Sequence, residues 1–469
     1  VEPVVPRTIA VVGGGVSGLA VTFHLRKALK SRGEVSVVCL EAADSPGGNI
    51  ATDSEAGYTC EWGPNGFLDN EPATLELVRE IGIEDRLLRS NQAAAKRFIF
   101  RGGRLRQLPG GPGSFLASSI LSPWGRARVL GEPLAAPKKD ESDESVFDFA
   151  ARRIGREAAA ILVDAMVSGI YAGDARQLSL KACFPKMWTM ESEHGGLFKA
   201  MLARRRDKKA GEGSGGGPAG PGGTLMSFRG GMRELIDGLA AAVGPALRTG
   251  ARLGRIVSTG DRGYRLQLER GAPIDAAVVV LACPAWFAAP AIEGLDREIA
   301  QAMKAIPSAP VNVVHFGFEP GDLGSAPDGF GFLVPRGEGP RILGCLWSSS
   351  IFDGRTEDGR VLLTSMIGGA TDPGAIDLPD DELARITRGD LETAMGVKAD
   401  PRFVRIFRHP RGIPQYTLGH LDRVAAIEGG LARHPGLLVS GNSYRGISVN
   451  ACAAEAPGVA AEALRQLDV

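Results

Sequence analysis

The sequence predicts an α/β protein that carries a β-rich block and a helical lobe beside its main core. Three observations predict it. An apolar strand, Arg7 to Val12, runs through a glycine loop, Gly13 to Gly18 (GGGVSG), into a helix over Leu19 to Ser31, and a second apolar strand follows at Val35 to Leu40. Val311 to Gly368 is rich in strand-like runs such as FGFLVP and VLLTSMIGG. Leu108 to Ala136 sets Phe115, Leu116, Ile120, Leu121, Trp124, Val129 and Leu130 beside Arg126 and Arg128. That pattern suits either a segment lying in a membrane interface or a lid packed over a pocket.

The 469 residues leave room for two to four domains at roughly 150 residues each. Lys plus Arg and Asp plus Glu each number 54, so the formal net charge is zero, which argues against a nucleic-acid-gripping protein. Hydrophobic residues at 44% and charged residues at 23% exclude large-scale disorder. Six cysteines (Cys39, Cys60, Cys183, Cys283, Cys345, Cys452) form no CxxC pair and read as reduced thiols of a cytoplasmic protein. The N-terminal run leads straight into the glycine loop and lacks a signal-peptide layout. The uncharged apolar stretch Ala276 to Ile292 is too short and too proline-interrupted to span a bilayer.

Further elements follow in order. The run RRRDKK at Arg204 to Lys209 reads as a solvated helix end, and the Gly/Pro/Ser tract over 210–223 as a flexible loop. A glycine turn and helix begin at Ser227. Strands are expected at Gly250–Val257, Tyr264–Glu269 and Ala276–Ala282, and a helix at Arg385–Met395. A last strand, Gly436 to Ser440, leads to Gly441 and a helix from about Asn450 to Leu467.

The motif Gly13-x-Gly15-x-x-Gly18, with Glu41 ending the next strand, is a dinucleotide fingerprint in its proper context. Gly13 permits the turn, Gly15 admits a pyrophosphate, and Gly18 lets helix and strand approach. The helix N-terminus offers free N–H groups to phosphates, through Gly14, Val16 and Ser17 as well. Glu41, followed by Ala42, can accept ribose hydroxyls and would repel a 2′-phosphate. The six histidines (His24, His194, His315, His409, His420, His434) show no ligand spacing, so no metal is expected, and His420 reads as structural.

Downstream come Ser45-Pro46-Gly47-Gly48-Asn49 and Glu61-Trp62-Gly63-Pro64-Asn65, and near the end LLVSGNSYRGISVN. This layout resembles the amine-oxidase-like flavoprotein superfamily. The resemblance implies a Rossmann-like domain that binds FAD noncovalently and is assembled from discontinuous segments. They are 1–90, 225–295 and 426–469, with a helical lobe at 91–224 and a β-rich substrate domain at 296–425. It implies FAD contacts from Gly47, Gly48, Asn49, Gly63, Pro64, Asn65, Ala282, Gly441, Asn442, Gly446, Ile447 and Val449. The segment Phe228-Arg229-Gly230-Gly231-Met232 with Gly250 to Leu253 matches the part near the adenine, where Leu253 is assigned. Ser45 stands where the superfamily usually has arginine, which leaves one phosphate or ribose contact unaccounted for.

The resemblance narrows at Glu61 to Phe67 (EWGPNGF), Gly169 to Asp174 (GIYAGD), Gly331 to Pro335, Ser348 to Ser350, and Gly412 to Tyr416 (GIPQY) with Gly419-His420. From about residue 7 to 466 the chain is similar to oxygen-dependent protoporphyrinogen oxidases. That implies oxidation of protoporphyrinogen IX to protoporphyrin IX in three two-electron steps through FAD, with molecular oxygen giving hydrogen peroxide. It implies Arg97 as the propionate clamp, Leu333, Leu346 and Met366 as apolar walls, Gly169 beside the macrocycle, and Asn65 near flavin and substrate. Diphenyl-ether inhibitors that mimic half the macrocycle are implied ligands. Peripheral contact with the inner face of the cell membrane follows from the apolar segment and the poorly soluble substrate, and a homodimer is compatible with the chain. The rival substrate is coproporphyrinogen III, and more remote readings are an amine oxidase or a nonenzymatic porphyrin-binding flavoprotein.

Overall fold

A computed structural model describes residues 7–30, 35–138, 140–209, 223–260 and 263–467. Of the glycine-rich stretch 210–223, only Gly223 lies within the described residues. At the centre is a five-stranded parallel sheet, in the order Leu247–Arg248, Ser36–Leu40, Thr8–Val12, Val278–Leu281, Leu437–Val439. Its strands read as unbroken apolar runs because both faces are covered. Ile9, Val11, Val278 and Val280 face a cluster shared with the helices Val16–Ala28, Arg233–Val243 and Val449–Leu467. Ala10, Val12, Val279 and Leu281 face the other way. There they meet the helices Ala285–Ile292, Arg297–Lys304 and His420–Leu431 and the small antiparallel sheet built on Leu253–Ser258. The three chain segments assigned to the dinucleotide domain thus meet in one sheet.

The first helix starts at Val16, three residues before the expected Leu19. Gly18 suggested a longer loop, but its missing Cβ serves packing: a Cβ there would collide with the Gly13 carbonyl.

The second sheet has seven strands, in the order Phe403–Pro414, Ser308–Phe318, Val361–Gly368, Gly344–Leu346, Gly331–Leu333, Arg97–Phe100, Leu105–Gln107. Only the pairing of Gly331–Leu333 with Arg97–Phe100 is parallel. Two assignments of the sequence reading shift here. Residues 97–107, grouped with the helical lobe, are strands of this sheet. The helix Arg297–Lys304, grouped with the β-rich domain, packs beside the parallel sheet. The strand Phe403–Pro414 and the helix His420–Leu431 were not expected. The former is an edge strand whose Arg405 and Arg408 pair with Asp53 and Asp380, and the latter carries Gly429 and Gly430, so neither shows a clean period.

The lobe packs short helices around a buried ionic knot. Arg153 pairs with Glu132 and Glu191, all nearly inaccessible, and Glu132 also accepts the backbone N–H groups of Leu197 and Phe198. One helical run, 156–171, passes through a π-turn at Ala159–Val163. The helix Leu197–Lys209 runs through the basic cluster. Among the described residues no helix is long and apolar enough to cross a membrane.

Candidate cofactor and substrate site

At the C-terminal edge of the parallel sheet, Gly13 adopts a φ of 118°, and its N–H bonds to Leu40 O at 2.7 Å. A Cβ on Gly13 would approach Ala282 O to 2.8 Å, whereas one on Gly15 would meet nothing within 4 Å. Gly15 therefore opens the side on which a ligand's phosphates can come close. The helix Val16–Ala28 begins without a side-chain cap or an acidic residue in its first turn. Its free N–H groups and positive dipole end fit a diphosphate. Glu41 holds the loop, accepting Gly14 N–H at 2.7 Å and Ala43 N–H at 2.8 Å. Those contacts place Ala42 at the same corner. Ala251 N–H bonds to Glu41 O, which brings the segment Gly250 to Leu253 to this acid. Leu253 itself is buried in the core, so a role there falls to its backbone.

Other predicted residues converge on this loop. Gly47 N–H bonds to Gly14 O at 2.8 Å, Gly15 and Gly47 form a parallel bridge, and a Cβ on Gly48 would lie 3.7 Å from Gly15 Cα. Gly441 lies against Ser17: a Cβ would sit 3.3 Å from its hydroxyl. Ala282 N–H bonds to Val12 O, and Asn442 O accepts the Tyr416 hydroxyl at 2.5 Å. Gly63 leaves no room for a Cβ beside Asn49 O (2.5 Å), and Asn49 Nδ2 bonds to Gly412 O at 3.0 Å. Pro64 and Asn65 follow, half-buried. Gly446 has a φ of 62° and turns the chain into the last helix, where Val449 is buried, while Ile447 packs near Tyr171 and Tyr416. These residues together fit a bound FAD: an open glycine cradle, an uncapped helix start, and an acid at the ribose position.

The predicted substrate residues come together on one sheet face. Arg97 stands opposite Gly331, which stands opposite Leu346. Two residues along, Leu333 and Met366 both stand opposite Gly344. Side chains two apart along a strand share a face, so Arg97, Leu333, Leu346 and Met366 line the same side. All four are half-buried, while Phe332, Cys345, Ser365 and Ile367 on the opposite side are fully buried. The helix Asp164–Tyr171 crosses this face, and a Cβ on Gly169 would meet Leu333 Cδ2 at 2.7 Å. Arg336 locks that helix in place, bonding Asp164 at 2.7 Å and Asp174 at 2.6 Å.

Charge on this face is uneven. Among the described residues no carboxylate lies within 4 Å of the Arg97 guanidinium, which rests over the Phe330 ring at 4.8 Å. Burial holds its pKa below the usual arginine range. Neighbouring cations are occupied: Lys96 pairs with Asp328 and Arg101 with Glu338.

Sequence reasoning missed the framework behind Gly63-Pro64-Asn65. Glu61 and Arg355, each 2% exposed, pair at 3.2 Å. Burial pushes the Glu61 carboxyl up and the Arg355 guanidinium down, against their mutual attraction. Glu61 also accepts Thr52 Oγ1 and Met232 N–H. His315 Nε2 bonds to Glu61 O at 3.0 Å and His409 Nε2 to Trp62 O at 2.7 Å. No spacing rule could have found these histidines, because the strands that carry them meet Glu61 and Trp62 only in three dimensions. His420 is structural, stacked on Tyr416 and bonded to Tyr444 O. All six cysteines are free. The segment from Leu108 to Ala136 has two sides. Ile120 and Leu121 pack with Ile99, Ile161 and Leu333. Trp124 (85% exposed), Leu134 (91%), Leu116 (55%) and Leu130 (52%) face outward.

Comparison with known proteins gives the following. Residues 16–464 match the family described as flavin containing amine oxidoreductase. The chloroplastic protoporphyrinogen oxidase of Oryza sativa subsp. japonica is 33% identical over 94% of this chain and 85% of its own length. The coproporphyrinogen III oxidase of Bacillus subtilis is 27% identical over 98% of both. A protein of Exiguobacterium sp. 255-15, provisionally assigned as a protoporphyrinogen oxidase, has a crystal structure that superposes with a TM-score of 0.82. It is 26% identical over 98% of this chain and 99% of that one.

Proposed function

The chain belongs to the flavin containing amine oxidoreductase family, in its protoporphyrinogen and coproporphyrinogen oxidase group, and from that premise we propose that it oxidises protoporphyrinogen IX to protoporphyrin IX. The observation that carries the choice of substrate is Arg97, a guanidinium with no carboxylate partner among the described residues, at the rim of an apolar face made by Leu333, Leu346 and Met366; Arg106, two positions along the same face, is held by Arg101 O and Ser119 Oγ. A macrocycle with two propionates on one edge matches that arrangement. Coproporphyrinogen III has four carboxylates, and the adjacent Lys96 and Arg101 are already neutralised.

FAD, when bound, supplies the two-electron acceptor, and molecular oxygen takes the electrons as hydrogen peroxide. Gly13 to Ser17, Gly47, Gly48 and Gly441 would hold its phosphates through backbone N–H groups, with Glu41 at the ribose. The rest is positioning. Arg97 anchors a propionate with its planar fork. Leu333, Leu346 and Met366 bind the ring by apolar contact and exclude water. Gly169 would let the lobe helix approach the ring and offer its carbonyl to the pyrrole N–H groups, and Asn65 would help hold the flavin beside the substrate. Diphenyl ethers would compete for the same apolar face. Outside the site, the exposed Leu116, Trp124, Leu130 and Leu134 make the lobe a peripheral membrane contact of a cytoplasmic protein.

The deciding assay is growth of porphyrin fluorescence from purified yellow protein in air, with protoporphyrinogen IX and coproporphyrinogen III in parallel and autoxidation subtracted. Faster turnover of the first is expected. Preference for the second would reverse the charge argument, and turnover of neither would reject the reading.

A further inference from the structure

Two imidazoles of the substrate sheet grip two successive carbonyls of the dinucleotide domain. His315, on the strand Ser308–Phe318, reaches Glu61 O at 3.0 Å, and His409, on the strand Phe403–Pro414, reaches Trp62 O at 2.7 Å. A carbonyl can only accept, so both Nε2 atoms carry the proton. With Nε2–H fixed, neutral His315 accepts at Nδ1 from the Thr364 hydroxyl (2.9 Å), and Thr364 in turn accepts from Ser348 Oγ (2.7 Å). The Trp62 ring stacks on Phe407 at 4.8 Å between ring centres, and His315 meets Phe407 edge-on at 5.6 Å. Thr364 stands two residues from Met366 on the same face. One bonded chain therefore runs from the substrate face to the residues just before Gly63-Pro64-Asn65.

We propose that His315 and His409 are positioning residues that set the Gly63-Pro64-Asn65 segment in register with the substrate face. This rests on the reading that Asn65 lies between flavin and substrate. Neither imidazole needs to touch either ligand. His409 fixes the Trp62 carbonyl just before Gly63, while His315 adds a second bond to the Glu61–Trp62 peptide, whose N–H already reaches Ala51 O; reaction by positioning is sensitive to shifts there, a misplacement near 1 Å costing on the order of a hundredfold.

The test uses holoprotein and two substitutions at the half-buried His409. H409F fills the space without a donor. H409Q keeps an N–H close to the Nε2 position. H409F is expected to lower kcat about tenfold or more with KM changed less than about threefold, and to shift the visible absorption bands of the bound flavin. H409Q is expected to recover most of both losses. H315F and H315Q repeat the comparison at the buried site, and the His409 pair decides if the His315 variants fail to fold. Wild-type kcat and flavin spectrum in folded H409F would overturn the proposal, as would equal damage in H409Q and H409F. If the wild-type protein oxidises neither porphyrinogen, the functional reading fails separately, and the spectral shift with its rescue by glutamine still decides the role of the histidines.

Discussion

Arg97 is the residue on which the proposed substrate recognition turns. Its guanidinium is partly withdrawn from water, carries no carboxylate partner among the described residues, and rests against Phe330. Leaving a cation in that condition costs free energy unless a ligand supplies the counter-charge. Arg97→Ala should therefore raise KM more than it lowers kcat. A charge-assisted bond contributes about 1.5–3 kcal/mol, which is roughly a 10- to 100-fold loss in kcat/KM. Arg97→Lys should recover only part, because an ammonium lacks the fork. Steady-state porphyrin fluorescence on both substrates checks this, and an unchanged KM in Arg97→Ala would remove Arg97 from the site. The sequence alone could not single out Arg97, since KRF reads as an ordinary surface run. The family resemblance pointed to it, and the structure shows why it differs from Lys96 and Arg101.

At the scale of elements, one helix start carries a testable share of stability. Asp296 caps the helix Arg297–Lys304, its Oδ1 accepting Glu298 N–H at 2.9 Å and Ile299 N–H at 3.1 Å. Its Oδ2 accepts Arg433 at 2.8 Å and His434 at 2.9 Å. Burial pushes the Asp296 carboxyl up, but the bonds from His434, Ile299 N–H and Arg433 outweigh it and bring the pKa down to about 2. A carboxyl whose pKa is lowered on folding stabilises the fold above its unfolded value, near 3.9, and the benefit fades as pH falls towards 2. Asp296→Ala should cost about 0.5–2 kcal/mol at neutral pH. The gap in thermal midpoint between wild type and variant should shrink between about pH 4 and pH 2. A gap independent of pH would show that the cap's charge is not what matters. The cap escaped the sequence reading because the helix it starts is short and lies among segments assigned to another domain.

For the molecule as a whole, the lobe presents two surfaces of opposite use. Ile120 and Leu121 close over the sheet face at Ile99 and Leu333, while Trp124 and Leu134 stand almost fully in solvent. Large apolar side chains this exposed within one short segment mark an interaction surface. Trp124→Ser with Leu134→Ser should abolish most flotation with anionic liposomes and leave porphyrinogen turnover in detergent within about twofold, since apolar area drives interfacial binding. Equal flotation of wild type and variant would place the contact elsewhere, and no flotation of wild type would end the membrane reading. Of the alternatives weighed from sequence, the inner side of the segment packs over the sheet as a lid would, and the outer side is exposed, its partner left to that experiment.

The sequence by itself determined the local chemistry of the dinucleotide site. Gly13, Gly15, Gly18 and Glu41 are adjacent through one strand–loop–helix–strand unit, so their spacing is their geometry. It also fixed most strands of the parallel sheet, because burial on both faces writes continuous apolar runs. Only the tertiary structure decided which strands sit side by side. Arg97, Leu333, Leu346 and Met366 share a face through pairings across hundreds of residues, and His315 and His409 find the carbonyls of Glu61 and Trp62 only because two sheets meet there. The edge strand Phe403–Pro414 shows the same limit, since its exposed positions fall on successive residues such as Val404 and Arg405 and only its pairing with Ser308–Phe318 places it.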